Sequence, residues 1–210
     1  MKKDRMKVLI ACEYSGIVRE AFNSLGHDAR SCDILPTEIP GKHLQGDIFK
    51  FLNRDWDLMI AHPPCTYLSN AGIAWFNEDK YGDKARERKQ LRLKAMDFVA
   101  KLYDSNIEKI CIENPVGYLN NNWRKPDQIV QPYYFGDTES KRTCLWFKNL
   151  KPLEHTKHVK PKIYAYYKRG KKKGKPIYFN DYCHFSKDRG KIRSKFWEGI
   201  ANAMANQWGT

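Results

Sequence analysis

Apolar positions fall in two rhythms along the first 150 residues, short unbroken runs and stretches of helical spacing. KVLIA at Lys7–Ala11 is a run of the first kind, and Gly16 then opens IVREAFNSLGH, in which Ile17, Phe22 and Leu25 suit an amphipathic helix ended by Gly26. DARSCDILP predicts a second strand ending at Asp33, GDIFKFL a short third element around Asp47, and WDLMIAH a fourth strand. FNEDKYGDKARERKQ is dense in charge and reads as a mobile surface loop that leads into a helix. RKQLRLKAMDFVAKLYD places Leu91, Ala95, Phe98, Val99 and Leu102 at helical spacing and predicts that helix. EKICIENP predicts a fifth strand with Ile110 and Ile112 buried, and VQPYYF and RTCLWF are later strand candidates. Strands alternating with helices predict an α/β fold, a mostly parallel doubly wound sheet with helices on both faces.

The apolar pattern stops near Leu150, so residues 1–150 are expected to form the core. Residues 151–190 mix Lys, Tyr, Pro and Gly without periodicity. Within 191–210, KFWEGIANAMANQW predicts a closing helix that packs back through Phe196, Ile200, Met204 and Trp208. No internal repeat is present.

With 210 residues and 41% hydrophobic content, the chain is long and apolar enough for one sizeable domain, which excludes a disordered tail. Its net charge of +14, with six Trp and twelve Tyr, points to a polyanionic partner such as nucleic acid. That charge is concentrated: Lys151 to Lys175 holds ten Lys or Arg against the single acid Glu154. Lys171, Lys172 and Lys173, with Tyr164, Tyr166 and Tyr167 interleaved, are candidates to grip phosphates and stack on bases. The plainer alternative is a solvated loop. Six well-separated cysteines without a CxxC suggest reduced thiols in a cytosolic setting. No secretory signal or membrane-length apolar run is visible, and a soluble cytoplasmic protein with no membrane partner is expected.

Two strand ends carry the candidate chemistry, His62-Pro63-Pro64-Cys65 after the fourth strand and Glu113-Asn114-Pro115 after the fifth. In a doubly wound sheet those ends lie side by side. A cysteine after a strand is usually a small apolar filler, and a glutamate there can simply cap a turn. Together, a thiol and a carboxylate suggest covalent catalysis with nucleophile and proton donor in separate roles, which a pyrimidine ring requires. Thiolate addition at carbon 6 of cytosine would place electron density on carbon 5. A carboxylic acid at N3 and a guanidinium near O2 would lower the barrier. His62 is a candidate to lower the thiol pKa of Cys65, although neighbouring side chains can point apart. An exocyclic-amine methyltransferase would carry an aromatic directly after the two prolines, where this chain has Cys65, with Tyr67 two residues later. His155, His158, Cys183 and His184 fit no standard zinc spacing, and no metal is expected.

PPC together with ENP resembles the paired motifs of the DNA (cytosine-5)-methyltransferase family, whose usual forms are PPC and ENV. VLIACEYSGIVREAF is similar to that family's first S-adenosylmethionine motif, CDILP to its acidic second-strand end, GDI to its third motif, and SKRTCLWF to its late Gln-x-Arg-x-Arg strand. The resemblance spans roughly residues 7 to 147. It implies a class I Rossmann-like methyltransferase fold, S-adenosylmethionine as methyl donor and cytosine in DNA as substrate. Cys65 would be the nucleophile, Glu113 the N3 partner and Arg142 the substrate-orienting cation. Asp33 would bind the donor's ribose, Asp47 its adenine amino group, and Gly16 would permit its close approach, with Ile34, Ile48 and Pro63 completing the donor pocket. Pro64, Asn114 and Lys141 would face the substrate. The glycine-rich first motif is reduced here to CEYSGI, which leaves Glu13 or Ser15 to contact the methionine moiety. About 50 residues separate the late arginine motif from the final helix, too few for the family's large target-recognition domain. The basic segment stands in that place, as in small members of phage or prophage type, which act in the host cytoplasm. Modification of a pyrimidine in RNA, single-stranded DNA or a nucleotide, and a silent nucleic-acid-binding relative, stay open as alternatives.

Overall fold

The computed structural model describes residues 5–182 and 196–210. Seven strands, β1 (Lys7–Ala11), β2 (Asp28–Asp33), β3 (His43–Gln45), β4 (Leu58–Ala61), β5 (Lys109–Pro115), β6 (Gln128–Val130) and β7 (Thr143–Lys148), form one sheet in the order β3-β2-β1-β4-β5-β7-β6. β1 pairs in parallel with β2 and β4, β2 with β3, and β4 with β5, while β7 runs antiparallel to β5 and β6. Among the described residues the helices are α1 (Ile17–Ser24), α2 (Glu78–Tyr81), α3 (Asp83–Tyr103), α4 (Leu119–Asn122), α5 (Phe179–Tyr182) and α6 (Glu198–Trp208). Strand order reverses direction at β1, so the crevice past the carboxyl ends of β1 and β4 is where such a sheet holds ligands.

Alternation along the strands decides which helix covers which face. Val8, Ile10, Leu58, Ile60, Cys111, Leu145 and Phe147 point to one side, where α1 supplies Val18 and Phe22 and α6 supplies Ile200, Met204 and Trp208. Leu9, Ala11, Met59, Ala61, Ile110, Ile112, Cys144 and Trp146 point to the other, against Val99 and Leu102 of α3. The central strands are buried on both faces, which is why their sequences are continuous apolar runs. This is a mostly parallel, doubly wound α/β sheet with helices on both faces, as the alternation of elements predicted.

Several boundaries differ from the sequence reading for physical reasons. α3 begins at Asp83, five residues earlier than the apolar spacing indicates. The charged stretch before it is helical because its charges pair: Arg86 with Asp83 and Glu78, and Lys89 with Glu78. The third strand is His43–Gln45, just ahead of Gly46-Asp47, and Ile48–Lys50 forms a 3-10 turn capped by Asp47. VQPYYF is mostly the 3-10 turn Pro132–Tyr134, where proline suits the first turn position, and the strand lies upstream at β6. Leu25 ends α1 as its C-cap, partly exposed, instead of joining the buried stripe.

The basic segment folds into a hairpin, β8 (Ala165–Tyr166) and β9 (Pro176–Ile177), paired antiparallel outside the main sheet. Its approach to the core is fixed earlier, where Leu153 is buried and its backbone N–H donates to Gln128 Oε1 (2.8 Å). Trp208 Nε1 donates to the carbonyl of Lys151 (2.9 Å), which ties the start of this segment to the last turn of α6. Among the described residues no helix is long and apolar enough to cross a membrane.

Candidate active site

After β4, His62 leads into Pro63, Pro64 and Cys65, which carry the chain out over the sheet edge. Pro63 is buried, whereas Pro64 and Cys65 are exposed. The carbonyl of Cys65 accepts from the amides of Leu68 (3.0 Å) and Ser69 (2.9 Å), so the thiol sits at the start of a tight turn. Asn114, fully buried after Glu113 on β5, donates from Nδ2 to the carbonyl of Pro63 (2.8 Å). The two strand ends identified in the sequence are thus joined by a direct hydrogen bond.

Gly117 seals the junction. The amide of Tyr118 donates to the carbonyl of Leu68 (2.7 Å), and a Cβ on Gly117 would lie 2.1 Å from that same oxygen. Only a glycine lets the two loops approach so closely. Gly117→Ala is therefore expected to lower stability by about 1–3 kcal/mol, the usual cost of overpacking, measured by urea unfolding.

The far side of the loop is held from α3. Arg88 donates to the carbonyl of Thr66 (3.1 Å) and Arg92 to that of Tyr67 (3.0 Å). The Arg88 guanidinium lies over the Tyr67 ring at 4.9 Å, and that of Arg92 over Phe76 at 3.2 Å and Tyr118 at 4.5 Å. Neither arginine stands out in the sequence, because nothing in the predicted helix shows which loop it will face.

His62 is turned away from the role considered for it beside Cys65. By strand alternation it shares a face with Ile60, Cys111 and Glu113, and its Nδ1 lies 3.0 Å from Glu113 Oε2. Its ring packs on Phe196, centroids 4.6 Å apart, and its Nε2 is buried with no hydrogen-bond partner among the described residues. Burial pushes the Glu113 carboxyl up, but the His62 hydrogen bond and the charge of Lys141 bring it below its ordinary value of 4.5. Of the adjacent Lys141 and Arg142, it is thus Lys141 that acts on Glu113. Arg142 is exposed, and its charge bears instead on the Cys144 thiol.

A carboxyl whose folded pKa is depressed contributes stability that is fully present above its unfolded value and lost as pH falls through the folded one. The Glu113 contribution is accordingly expected to disappear below about pH 4.5 in the wild type. In His62→Leu, burial is opposed by Lys141 alone, and the acid-side loss should shrink. Urea unfolding of both proteins across the acid range checks this.

The loops after β1, β2 and β3 meet on the other side of the switch point. Glu13 is buried and spends its carboxylate on α1, accepting from the amides of Val18 (2.7 Å) and Arg19 (3.4 Å) and from Ser15 Oγ (3.1 Å). A carboxylate at a helix N-terminus satisfies amides that otherwise lack partners. Gly16 has φ +81°, and its missing side chain leaves room for the Arg19 guanidinium, 2.6 Å from where a Cβ would stand. Arg19 is fully buried and donates to Ser31 Oγ (2.8 Å), Thr37 Oγ1 (3.1 Å) and the carbonyl of Ile39 (2.5 Å), which fixes the loop after β2. The close approach at Gly16 is therefore to a side chain of this protein.

Asp33 accepts from the amide of Leu35 (2.9 Å) and Asp47 from that of Phe49 (3.1 Å), each through Oδ1. Ile34, just past Asp33, is 74% exposed, while Ile48 is packed in the core and can offer a ligand only its backbone. Cys12 lies between these loops in the left-handed region, φ 57°. Burial, then the charges of Asp33 and Asp47, push its thiol well up, so it stays protonated at neutral pH. Two carboxylates beside an exposed apolar side chain at this sheet edge fit a ligand with hydroxyl and amino donors and a flat ring.

Lys171, Lys172 and Lys173 are exposed in the turn of the β8–β9 hairpin. The hairpin is tethered near the β7 entry, where Tyr164 Oη donates to the Glu139 carboxylate (2.8 Å) and the amide of Lys162 to the carbonyl of Thr138 (2.6 Å). Tyr166 is exposed, and Tyr167 Oη donates to Asp181 (2.6 Å). His155 and His158 contact each other at 2.9 Å under the Tyr134 ring, and no cluster of three metal-binding side chains occurs among the described residues. Cys183 and His184 lie outside the described residues.

No family model matches the chain, and no curated protein does. Among solved structures it is similar to the S. pombe Dnmt2 methyltransferase, at 19% identity and a TM-score of 0.46 over 71% of this chain. The match covers 51% of that structure, so the chain spans about half of its length.

Proposed function

We propose that this protein is an S-adenosylmethionine-dependent methyltransferase acting on carbon 5 of cytosine in DNA through a covalent bond to Cys65. The observation that carries this reading is the joining of the two strand ends. An exposed thiol after β4 and a buried carboxylate on β5 are held in one frame by the Asn114–Pro63 hydrogen bond.

Each residue takes a chemical role in that frame. The Cys65 sulfur forms a bond to carbon 6 of the ring. Glu113 in its protonated form gives a proton to N3 as negative charge develops there, and Lys141 lies close enough to stabilise the carboxylate left behind. The bound donor supplies an electrophilic methyl group, which carbon 5 takes up. A water or hydroxide then takes the carbon 5 proton as the Cys65 thiolate leaves, and N3 returns its proton to Glu113, which restores the neutral aromatic ring. Asp33, Asp47 and Ile34 hold the donor, while Glu13, Ser15 and Gly16 shape the loop beneath it by fixing α1 and Arg19. Arg142 and the Lys171–Lys173 turn are exposed cations available to phosphates. In a duplex the cytosine must leave the stack to reach the thiol.

Oligonucleotides in which 5-fluorocytosine replaces the target test the reading, since fluorine blocks the elimination that frees the enzyme. With S-adenosylmethionine present, a stable adduct mapping to the Cys65 peptide is expected. Turnover without any adduct, or an adduct on another residue, would overturn the proposal.

A further inference from the structure

The segment after Cys65 exposes large apolar side chains where burial would be expected. In the 3-10 helix Asn70–Phe76, Ile73 is 61% and Trp75 56% exposed. Trp75 leans over Tyr81 of α2, ring centroids 4.8 Å apart and planes 33° from parallel. These rings border a cleft of about 270 Å³ walled by Tyr67, Lys84, Glu87, Arg88 and Leu91. That is smaller than the roughly 300–1,000 Å³ typical of sites enclosing a drug-sized molecule and suits a single planar group.

The cleft is open to solvent, and its charge favours an anionic chain. Lys84 and Arg88 line it against one acid, Glu87, and Lys80 Nζ lies 5.3 Å from the centre of the Tyr81 ring. Arg88 uses one guanidinium nitrogen on Thr66 and its plane on Tyr67, while its Nε–H is buried without an acceptor among the described residues. Through Thr66 and Tyr67 the cleft is continuous with the turn that carries the thiol. Aromatic faces beside cations at the rim are how proteins hold unpaired bases without reading sequence.

We propose that the Trp75–Tyr81 cleft binds an unpaired DNA base neighbouring the target cytosine, so that the substrate is gripped as a locally single-stranded segment. The inference rests on the nucleic-acid substrate proposed above but not on methyl transfer. It concerns a second base, held by stacking, while the target base occupies the site between Cys65 and Glu113.

Single-stranded oligonucleotides containing one cytosine, with 5-iododeoxyuridine placed in turn at each flanking position, provide the test. Ultraviolet cross-links to Trp75 or Tyr81 should peak at one offset from the cytosine. Trp75→Ala should weaken single-strand binding by about 5- to 100-fold, the range expected for one lost base stack, with an unchanged salt slope because no phosphate contact is removed. Trp75→Phe should recover most of the loss. Unchanged affinity in Trp75→Ala, cross-links confined to the Lys171–Lys173 hairpin, or a preference for fully paired duplex or for RNA would each overturn the proposal. The two readings separate cleanly: cross-links at Trp75 without any fluorocytosine adduct sink methyl transfer and leave the stacking site standing. Adduct formation with an indifferent Trp75 does the reverse.

Discussion

Cys65→Ala is expected to lower methyl transfer by about 10³-fold or more, the scale seen when a nucleophile is removed from a working site. Folding should be undisturbed, because the side chain is exposed and the turn is held by backbone bonds from Leu68 and Ser69. Oligonucleotide affinity should change little, which separates a chemical role from a binding one. A brief treatment with iodoacetamide gives an independent check. Cys32, Cys111 and Cys144 are buried with thiols pushed up by that burial, and Cys12 is pushed up by burial and two carboxylates. Among these and Cys65, the modified peptide should be that of Cys65, and prior adduct formation on fluorocytosine DNA should protect it.

Glu113→Gln carries the second large effect, a fall in kcat of about 10²- to 10⁴-fold, the range for loss of a positioned acid. Glutamine can still accept from His62 Nδ1 through its amide oxygen, so the frame around Asn114 should persist and the KM for DNA should move little. The readout specific to the proposed role is proton uptake. In the resting protein Glu113 lies below its ordinary pKa, because His62 and Lys141 outweigh burial. A base sealed against the carboxyl removes the remaining water and strengthens the burial contribution, so the group is expected to take up a proton as substrate binds. Calorimetry in buffers of different ionisation enthalpy should detect that uptake in the wild type and not in Glu113→Gln. Equal uptake in both proteins would place the proton elsewhere and remove Glu113 from its role.

The frame of the fold was legible because its strands are buried on both faces. KVLIA, LMIA and KICIENP have no polar alternation to blur them, and the turn-forming residues after each mark the sheet edge where chemistry collects. PPC and ENP could be paired for the same reason, since adjacent parallel strands end together. What the sequence concealed depends on contacts between distant segments. Nothing in IVREAFNSLGH singles out Arg19, yet it is the buried post around which the loop after β2 is built. The charged residues before Arg88 read as a loop because their pairing along a helix shows only in three dimensions. Lys141 and Arg142 are adjacent, and only the parity of the strand they enter decides which acts on Glu113. His62 is three residues from the thiol in sequence and one strand away from it in allegiance. Gly117 marks a close approach that no local pattern announces.

The two arginines of α3 bear on which partner must deform when the complex forms. A turn grasped at the carbonyls of Thr66 and Tyr67, and pressed from below by Gly117, is a strut and not a lid. If the thiol is held still, the work of bringing carbon 6 to it falls on the nucleic acid. That work is least where the cytosine is already unpaired, somewhat greater at a mismatch, and a few kcal/mol greater still in an intact duplex. Relative rates on those three substrates should therefore rank in that order.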